Sequence, residues 1–296
     1  MTVRLEGAPV AERLGRSARD LVASLGGRPP LLVSLHRSSP TPYAFYLRQQ
    51  AKAAERAGVA LRPEALPQEL DRATLRERLR SLDREPQVDA VLLEHPLPPS
   101  LDFHGAVGAL SPEKDVDGVG AENVARLISG APLHYPAVVR AALAIAEFHG
   151  IGLSRRRVGV VGRSPTVGWP MALALASPAL GHDATVTLAH SKTPDLAGAL
   201  SGAEVVFSCV GRPKLLDRTN VPKGCAVIDV GLSSVPDPSK PSGHRAVGDA
   251  DADALEGWAS ALTPVPGGVG PVTSAALMLG VAESRRARAP LGKGAA

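Results

Sequence analysis

Apolar positions recur along the chain in two alternating patterns, one at helical spacing and one in short continuous runs. After Pro9, residues Val10, Leu14, Leu21, Val22 and Leu25 fall near helical spacing, and Gly26-Gly27 with two prolines stops the run. Leu31–Leu35 then reads as a buried strand, about Pro42 to Ala57 as a helix ended by Gly58, and about Arg72 to Leu82 as another helix. Val88–Leu93 is a second buried strand, and these elements make one unit. A helix over about Ala137–Phe148 leads to a second unit, with strands at Arg157–Val161, Thr185–Ala189, Glu204–Cys209 and Cys225–Val230. A glycine-rich loop precedes a last helix over about Val272 to Arg286, and the tail from Ala287 reads as disordered. The alternation predicts a two-domain α/β protein with mostly parallel sheets. Its expected division is 1–136 for the first domain, completed by the last helix, and 137–271 for a Rossmann-type second.

Composition narrows the classes. A chain of 296 residues is comfortable for two cores, and 44% hydrophobic with 21% charged residues is globular. No apolar run approaches the ~18 residues that span a bilayer, and the first residues lack the apolar core of a signal peptide, so no membrane is expected. The net charge of +4 comes from dispersed basic residues, which argues against nucleic acid as a partner. Cys209 and Cys225 lie in apolar runs, and two buried free thiols suit a reducing cytosol. Lysine is scarce: Lys52 is the only one before Lys114.

The segment Gly162-Arg163-Ser164-Pro165-Thr166-Val167-Gly168 stands between a strand and a helix, where a dinucleotide loop belongs. It departs from G-x-G-x-x-G, and the physical case rests on the free N–H groups of the helix beyond it. An NAD site wants an acid at the end of the next strand to hold the ribose 2′-hydroxyl. That strand ends His190-Ser191-Lys192 here, with no acid until Asp195. Arg163 and Ser191 could instead surround a 2′-phosphate, so NADP is the expected cofactor.

Four segments together resemble the bifunctional methylenetetrahydrofolate dehydrogenase/cyclohydrolase family. They are Pro112–Gly118 (PEKDVDG), Gly162–Pro170 (GRSPTVGWP), Ala184–Thr187 with His190–Thr193, and Thr263–Pro271 (TPVPGGVGP). Asp229-Val230-Gly231 and Val247-Gly248-Asp249 follow in the same order, so the resemblance runs from Leu5 to about Arg286. It implies two domains flanking a cleft, a homodimer, and oxidation of 5,10-methylenetetrahydrofolate with NADP. By position it implies cofactor contacts from Gly162, Arg163, Ser164, Ser191, Gly211 and Leu232. It implies folate contacts from Tyr46, Glu94 and Asp117, and from Pro264, Pro266 and Gly267 in a closing loop. A carboxylate such as Asp117 suits the donor edge of an aminopyrimidinone; the alternative for it is a turn or helix cap.

The chain departs from the family on the pterin and water side, and not on the NADP side. The family carries a Tyr and, four residues on, a Lys that assists water in the cyclohydrolase step; one helical turn puts both on the same face. Here Tyr46 keeps its place and Gln50 takes the Lys position, while Lys52 is rotated to another face. The family's Q-L-P-L-P reads Glu94-His95-Pro96-Leu97-Pro98, so the Gln that meets that Lys is Glu94. The loop Ser38–Tyr43 and the stretch Pro136–Val139 also depart. Tyr46, Gln50, Glu94 and Asp117 are therefore the candidate catalytic set. Glu94 reads either as a base favouring a cation or as one half of a hydrogen-bonded pair with Gln50, and His95 reads as a core histidine. No metal is implied. Two alternatives stay open: another NADP-dependent dehydrogenase of similar architecture, and a folate- or NADP-binding chain without turnover.

Overall fold

Among the described residues the parallel strands form two sheets, of three and of six strands. The computed structural model describes residues 1–37, 42–95, 97–239 and 243–288. The departing loop at Ser38–Thr41, Pro96 and the expected tail from Ala289 onward lie outside these residues.

In chain order the first elements are β1 (Val3–Arg4), α1 (Ala8–Leu25), β2 (Leu31–Arg37), α2 (Pro42–Ala57), β3 (Ala60–Leu66), α3 (Arg72–Arg84) and β4 (Ala90–Leu93). Short helices α4 (Phe103–Val107) and α5 (Ala121–Ile128) precede α6 (Ala137–Phe148). Then come β5 (Arg157–Val161), α7 (Gly168–Ala176), β6 (Thr185–Ala189), α8 (Leu196–Leu200), β7 (Val205–Ser208) and β8 (Ala226–Asp229). The chain closes with β9 (Ser233–Pro236), β10 (His244–Val247), α9 (Ala252–Leu255), β11 (Ala261–Leu262) and α10 (Val269–Arg288).

One unit comprises Glu12–Ala137 and the chain from Ser274. Its three-stranded parallel sheet has the order β3-β2-β4. Successive side chains of a strand face opposite ways, and both faces here are apolar. Leu32, Ala90 and Leu92 pack with Ala18 of α1, Ala54 and Ala57 of α2, and Ala276, Leu277, Met278 and Val281 of α10. Val33, Leu35, Val91 and Leu93 pack with Leu75, Leu79 and Leu82 of α3. The strand β3 was not anticipated: its sequence ALRPEAL is half polar, and Pro63 is tolerated because β3 is an edge strand pairing only with β2.

The other unit comprises Met1–Ala11 and Val138–Thr273. Its six-stranded sheet has the order β1-β11-β8-β7-β5-β6, all pairs parallel, and β9-β10 form a separate antiparallel pair. Residues 1–11 thus leave the first domain to which the sequence assigns them, because Val3 and Arg4 add a parallel edge to Ala261 and Leu262. The last helix begins at Val269 rather than Val272, and Pro271 falls in its first turn, where a missing N–H costs nothing. Both cysteines are free thiols. Among the described residues no helix is long and apolar enough to cross a membrane.

Candidate functional site

In a parallel sheet whose strand order reverses direction, the carboxyl ends of the two strands flanking the reversal diverge and leave a crevice. In the first sheet that point lies between β2 and β4, since β3 was laid on the far side of β2. Glu94 follows β4 there, its amide on the Leu35 carbonyl at 2.9 Å. Its carboxylate is buried and accepts from Ser34 Oγ of β2 at 3.2 Å and from Gln50 Nε2 of α2 at 2.5 Å. Tyr46 lies one helical turn before Gln50, and its phenol sits against Gln50, Glu94 and Asp117. The structure therefore brings the four predicted residues Tyr46, Gln50, Glu94 and Asp117 into one cluster.

The electrostatics of this cluster are those of acids without a cation. Burial pushes Glu94 up to about 7, against the hydrogen bonds of Gln50 and Ser34, and Asp117 adds repulsion. Burial likewise pushes Asp117 up to about 6, although its Oδ1 accepts the Ala137 amide at 3.0 Å. That amide opens α6, so Asp117 does cap a helix, and the cap occupies one of its two oxygens. Burial and the two acids hold the Tyr46 phenol above its ordinary value. Asp115, two residues before Asp117, is spent on its own loop: its Oδ2 accepts from Gly120 N and Asn123 Nδ2. His95 is exposed, its ring edge-to-face against Phe103, which corrects the expectation of a core histidine.

In the second sheet the order reverses between β5 and β7. Gly162 follows β5 with φ of +119°, a conformation suited to glycine, and a Cβ there would lie 2.6 Å from the Cys209 carbonyl oxygen. A Cβ on Gly168 would lie 2.2 Å from the Gly162 oxygen, so the first turn of α7 can press onto the loop only as glycine. Ser164 Oγ accepts from Val167 N and Gly168 N at the start of that helix. Arg163 is exposed, and among the described residues no carboxylate pairs with it. Ser191 is exposed just beyond β6, Gly211 beyond β7 with φ of +73°, and Leu232, 63% exposed, beyond β8. The six candidate cofactor residues thus stand at the carboxyl ends of four adjacent strands. Pro264, Pro266 and Gly267 follow β11 in the same unit, with Pro264 buried and Pro266 exposed.

Two supports of this second site escaped the sequence reading. Asp249 Oδ2 accepts from Ser208 Oγ and Val210 N, each at 2.8 Å, and its Oδ1 from Arg212 N at 2.7 Å. Asp229 accepts from Gly231 N, Asp249 N and Ala250 N. These carboxylates hold the loops that carry Gly211 and Leu232. The Asp-x-Gly and Gly-Asp pairs in the sequence were the available signal, because a Cβ on Gly231 or Gly248 would collide with the facing carboxylate. Gly7 is the second support: its amide donates to the Gly267 oxygen at 2.8 Å, and a Cβ would lie 1.9 Å from the Gly268 oxygen.

Comparison with known proteins covers both units. Residues 5–117 match the catalytic domain of tetrahydrofolate dehydrogenase/cyclohydrolase, and residues 136–289 match its NAD(P)-binding domain. This chain belongs to that family. The bifunctional protein FolD of Nocardia farcinica is 38% identical over 96% of this chain and 97% of its own. A 5,10-methylenetetrahydrofolate dehydrogenase structure from Bombyx mori superposes with a TM-score of 0.89 at 30% identity, covering 98% of this chain and 99% of its own. The Trypanosoma brucei dehydrogenase-cyclohydrolase, solved with NADP and inhibitor, gives 0.89 at 33% identity, covering 97% and 98%.

Two lysines are described in the unit that holds this cluster. Lys52 is exposed on α2. Lys114 is buried, and its Nζ donates to the carbonyls of Leu82, Asp83 and Glu85 at 3.0, 2.5 and 2.8 Å, closing the end of α3. Neither stands among Tyr46, Gln50, Glu94 and Asp117.

Proposed function

We propose that this protein is an NADP-dependent 5,10-methylenetetrahydrofolate dehydrogenase that forms 5,10-methenyltetrahydrofolate and carries little or no cyclohydrolase activity. The observation that carries the reading is the Tyr46–Gln50–Glu94–Asp117 cluster, in which Gln50 and Glu94 are buried and which holds no ammonium among the described residues. Bound NADP supplies the hydride acceptor. Gly162 and Gly168 keep the loop backbone open to a pyrophosphate at the start of α7. Arg163 and Ser191 suit a 2′-phosphate, and no acid at the end of β6 opposes it.

On the folate side, the free oxygen of Asp117 takes the donor edge of the pterin and Tyr46 packs beside it. Loss of hydride leaves a cation delocalised over two nitrogens, so the residues' task is orientation and charge stabilisation. Glu94 and Asp117 provide negative charge for that cation. Hydrolysis needs an activated water as well, and an amide at position 50 is no base at neutral pH. By family likeness the protein is also proposed to be a cytosolic homodimer, which sedimentation of the purified protein checks.

The deciding assay supplies methylenetetrahydrofolate with NADP, then with NAD, and follows NADPH and methenyl absorbance together. Accumulating methenyl product alongside NADPH is expected. NADPH without accumulation would restore the cyclohydrolase, and no turnover would make the chain a binding protein.

A further inference from the structure

Gln50 is fully buried, yet its Oε1 has no hydrogen-bond partner among the described residues. An unmet amide end costs about 1–3 kcal/mol whether oxygen or NH2 stands there, so the orientation is decided at the other end. That end lies 2.5 Å from Glu94 Oε1. That separation is short for N–H···O, usually about 2.7–3.2 Å, and ordinary for O–H···O, about 2.5–3.0 Å. The two ends of an amide have the same shape, so they can exchange places by a half-turn about the last side-chain bond.

The surroundings of Glu94 point the same way. The groups that face it are Ser34 from β2, Tyr46 and Gln50 from α2, and Asp117 from the loop before α6. None is a cation, and the one that carries charge is another carboxylate. Asp117 at least receives a backbone amide at a helix start, whereas Glu94 receives only neutral side chains among the described residues.

We propose that Gln50 and Glu94 share one proton: the resting site holds Glu94 as a neutral carboxyl donating to the Gln50 carbonyl oxygen, and loss of that proton leaves a carboxylate held by the turned amide. The pair is thereby a positioning and charge-setting device for the dehydrogenase. Burial, which pushes Glu94 up to about 7, places the change in the neutral range. The proton leaves to solvent, the amide rotates to donate, and the site gains one negative charge. Oxidation takes a hydride from the methylene carbon and leaves a positive charge on the folate, so the ionised pair favours it and the neutral pair does not. This consequence rests on the dehydrogenase reading; the shared proton does not.

The test separates the two. Protein labelled with carboxyl-13C glutamate is titrated by difference infrared spectroscopy without substrate. The labelling excludes the raised aspartates, and Glu94 is the glutamate held above its ordinary range. A protonated carboxyl band is expected at about pH 6, halved near pH 7, and missing in Glu94→Gln. Absence of that band in the folded wild type overturns the proposal. Single-turnover hydride transfer should rise about tenfold from pH 6 to pH 8 in the wild type, and much less in Glu94→Gln. Identical pH profiles in the two would assign the titration elsewhere and overturn the charge-setting role. A protein that shows the band but no turnover supports the shared proton and overturns the dehydrogenase reading instead.

Discussion

Replacing Asp249 by Asn tests whether the cofactor loops are held by buried carboxylates. Asp249 is fully buried and accepts three hydrogen bonds, from Ser208 Oγ, Val210 N and Arg212 N. An asparagine keeps the shape but exchanges one accepting oxygen for a donor. Turning the NH2 toward Arg212 loses one amide bond; turning it the other way opposes Val210 N, while the Ser208 hydroxyl can rotate to accept. The smaller loss is therefore one charge-assisted bond, about 1.5–3 kcal/mol, with the remaining bonds weakened by loss of charge. A total of about 2–4 kcal/mol lowers Tm by roughly 4–16 °C in a protein of this size class. Because Val210 and Arg212 flank Gly211, NADP affinity should fall as well. Differential scanning calorimetry and a fluorescence titration with NADPH read the two effects. A variant with Tm within about 1 °C of the wild type and unchanged affinity would show that these bonds hold nothing the cofactor uses.

Four further outcomes are expected. Arg163→Ala should weaken NADP by about 1–3 kcal/mol and leave NAD unaffected, read by titration with each cofactor; unchanged NADP affinity would remove Arg163 from the site. Asp117→Ala should abolish turnover with NADP affinity intact, and normal folate affinity in that variant would reduce Asp117 to its bond with Ala137. Gln50→Lys alone should restore little hydrolysis of the methenyl product because Glu94 pairs with the new charge, while Gln50→Lys with Glu94→Gln should raise it; strong wild-type hydrolysis that survives Glu94→Gln would sink that reasoning. Glu94, Asp117 and Asp229 are raised by burial to about 7, 6 and 6, so their stabilising contribution is full below about pH 4 and is lost as pH rises through those values. Thermal melts of Glu94→Gln should accordingly lose less stability between about pH 4.5 and pH 7 than melts of the wild type.

Elements with an undivided pattern were legible in advance. The bounds of α2, α6, β5 and β6 agree with their apolar runs; β5 is buried on both sides and leaves a continuous signal, while the edge strand β6 shows in its β-branched run TVTLA. The edge strand β3 has no such signal: Arg62 and Glu64 pair outward with Glu85 and Arg78, so half its residues read as loop. The two-residue strands β1 and β11 carry too little pattern to be seen at all. Helical spacing put Gln50 on the same face as Tyr46, and family order aligned Glu94 with it. Their contact spans 44 positions of sequence, and only the fold states its length. The roles of Asp229 and Asp249 were hidden for the same reason, since a lone Asp after a strand does not show which amides it will meet.

Several other buried charges described in this protein meet compensation, and Glu94 stands in contrast to them. Asp89 is fully buried but faces Arg28, Arg285 and Arg288 and accepts the Leu31 amide. Lys114 is buried against three carbonyls, and Asp229 and Asp249 collect amides from the loops they hold. Each of these makes the folded state more definite. Glu94 receives one amide side chain, one hydroxyl and a repelling neighbour, and it leaves an acceptor of Gln50 unpaired. A carboxyl kept in that condition while Asp89, Asp229 and Asp249 are satisfied is stability withheld from the fold, and such sites concentrate where chemistry occurs. A bound cation would compensate Glu94 as the arginines compensate Asp89. The product of hydride loss from methylenetetrahydrofolate is a cation, so the ionised form of Glu94, which faces no cation among the described residues, stands where the proposed reaction would supply its partner.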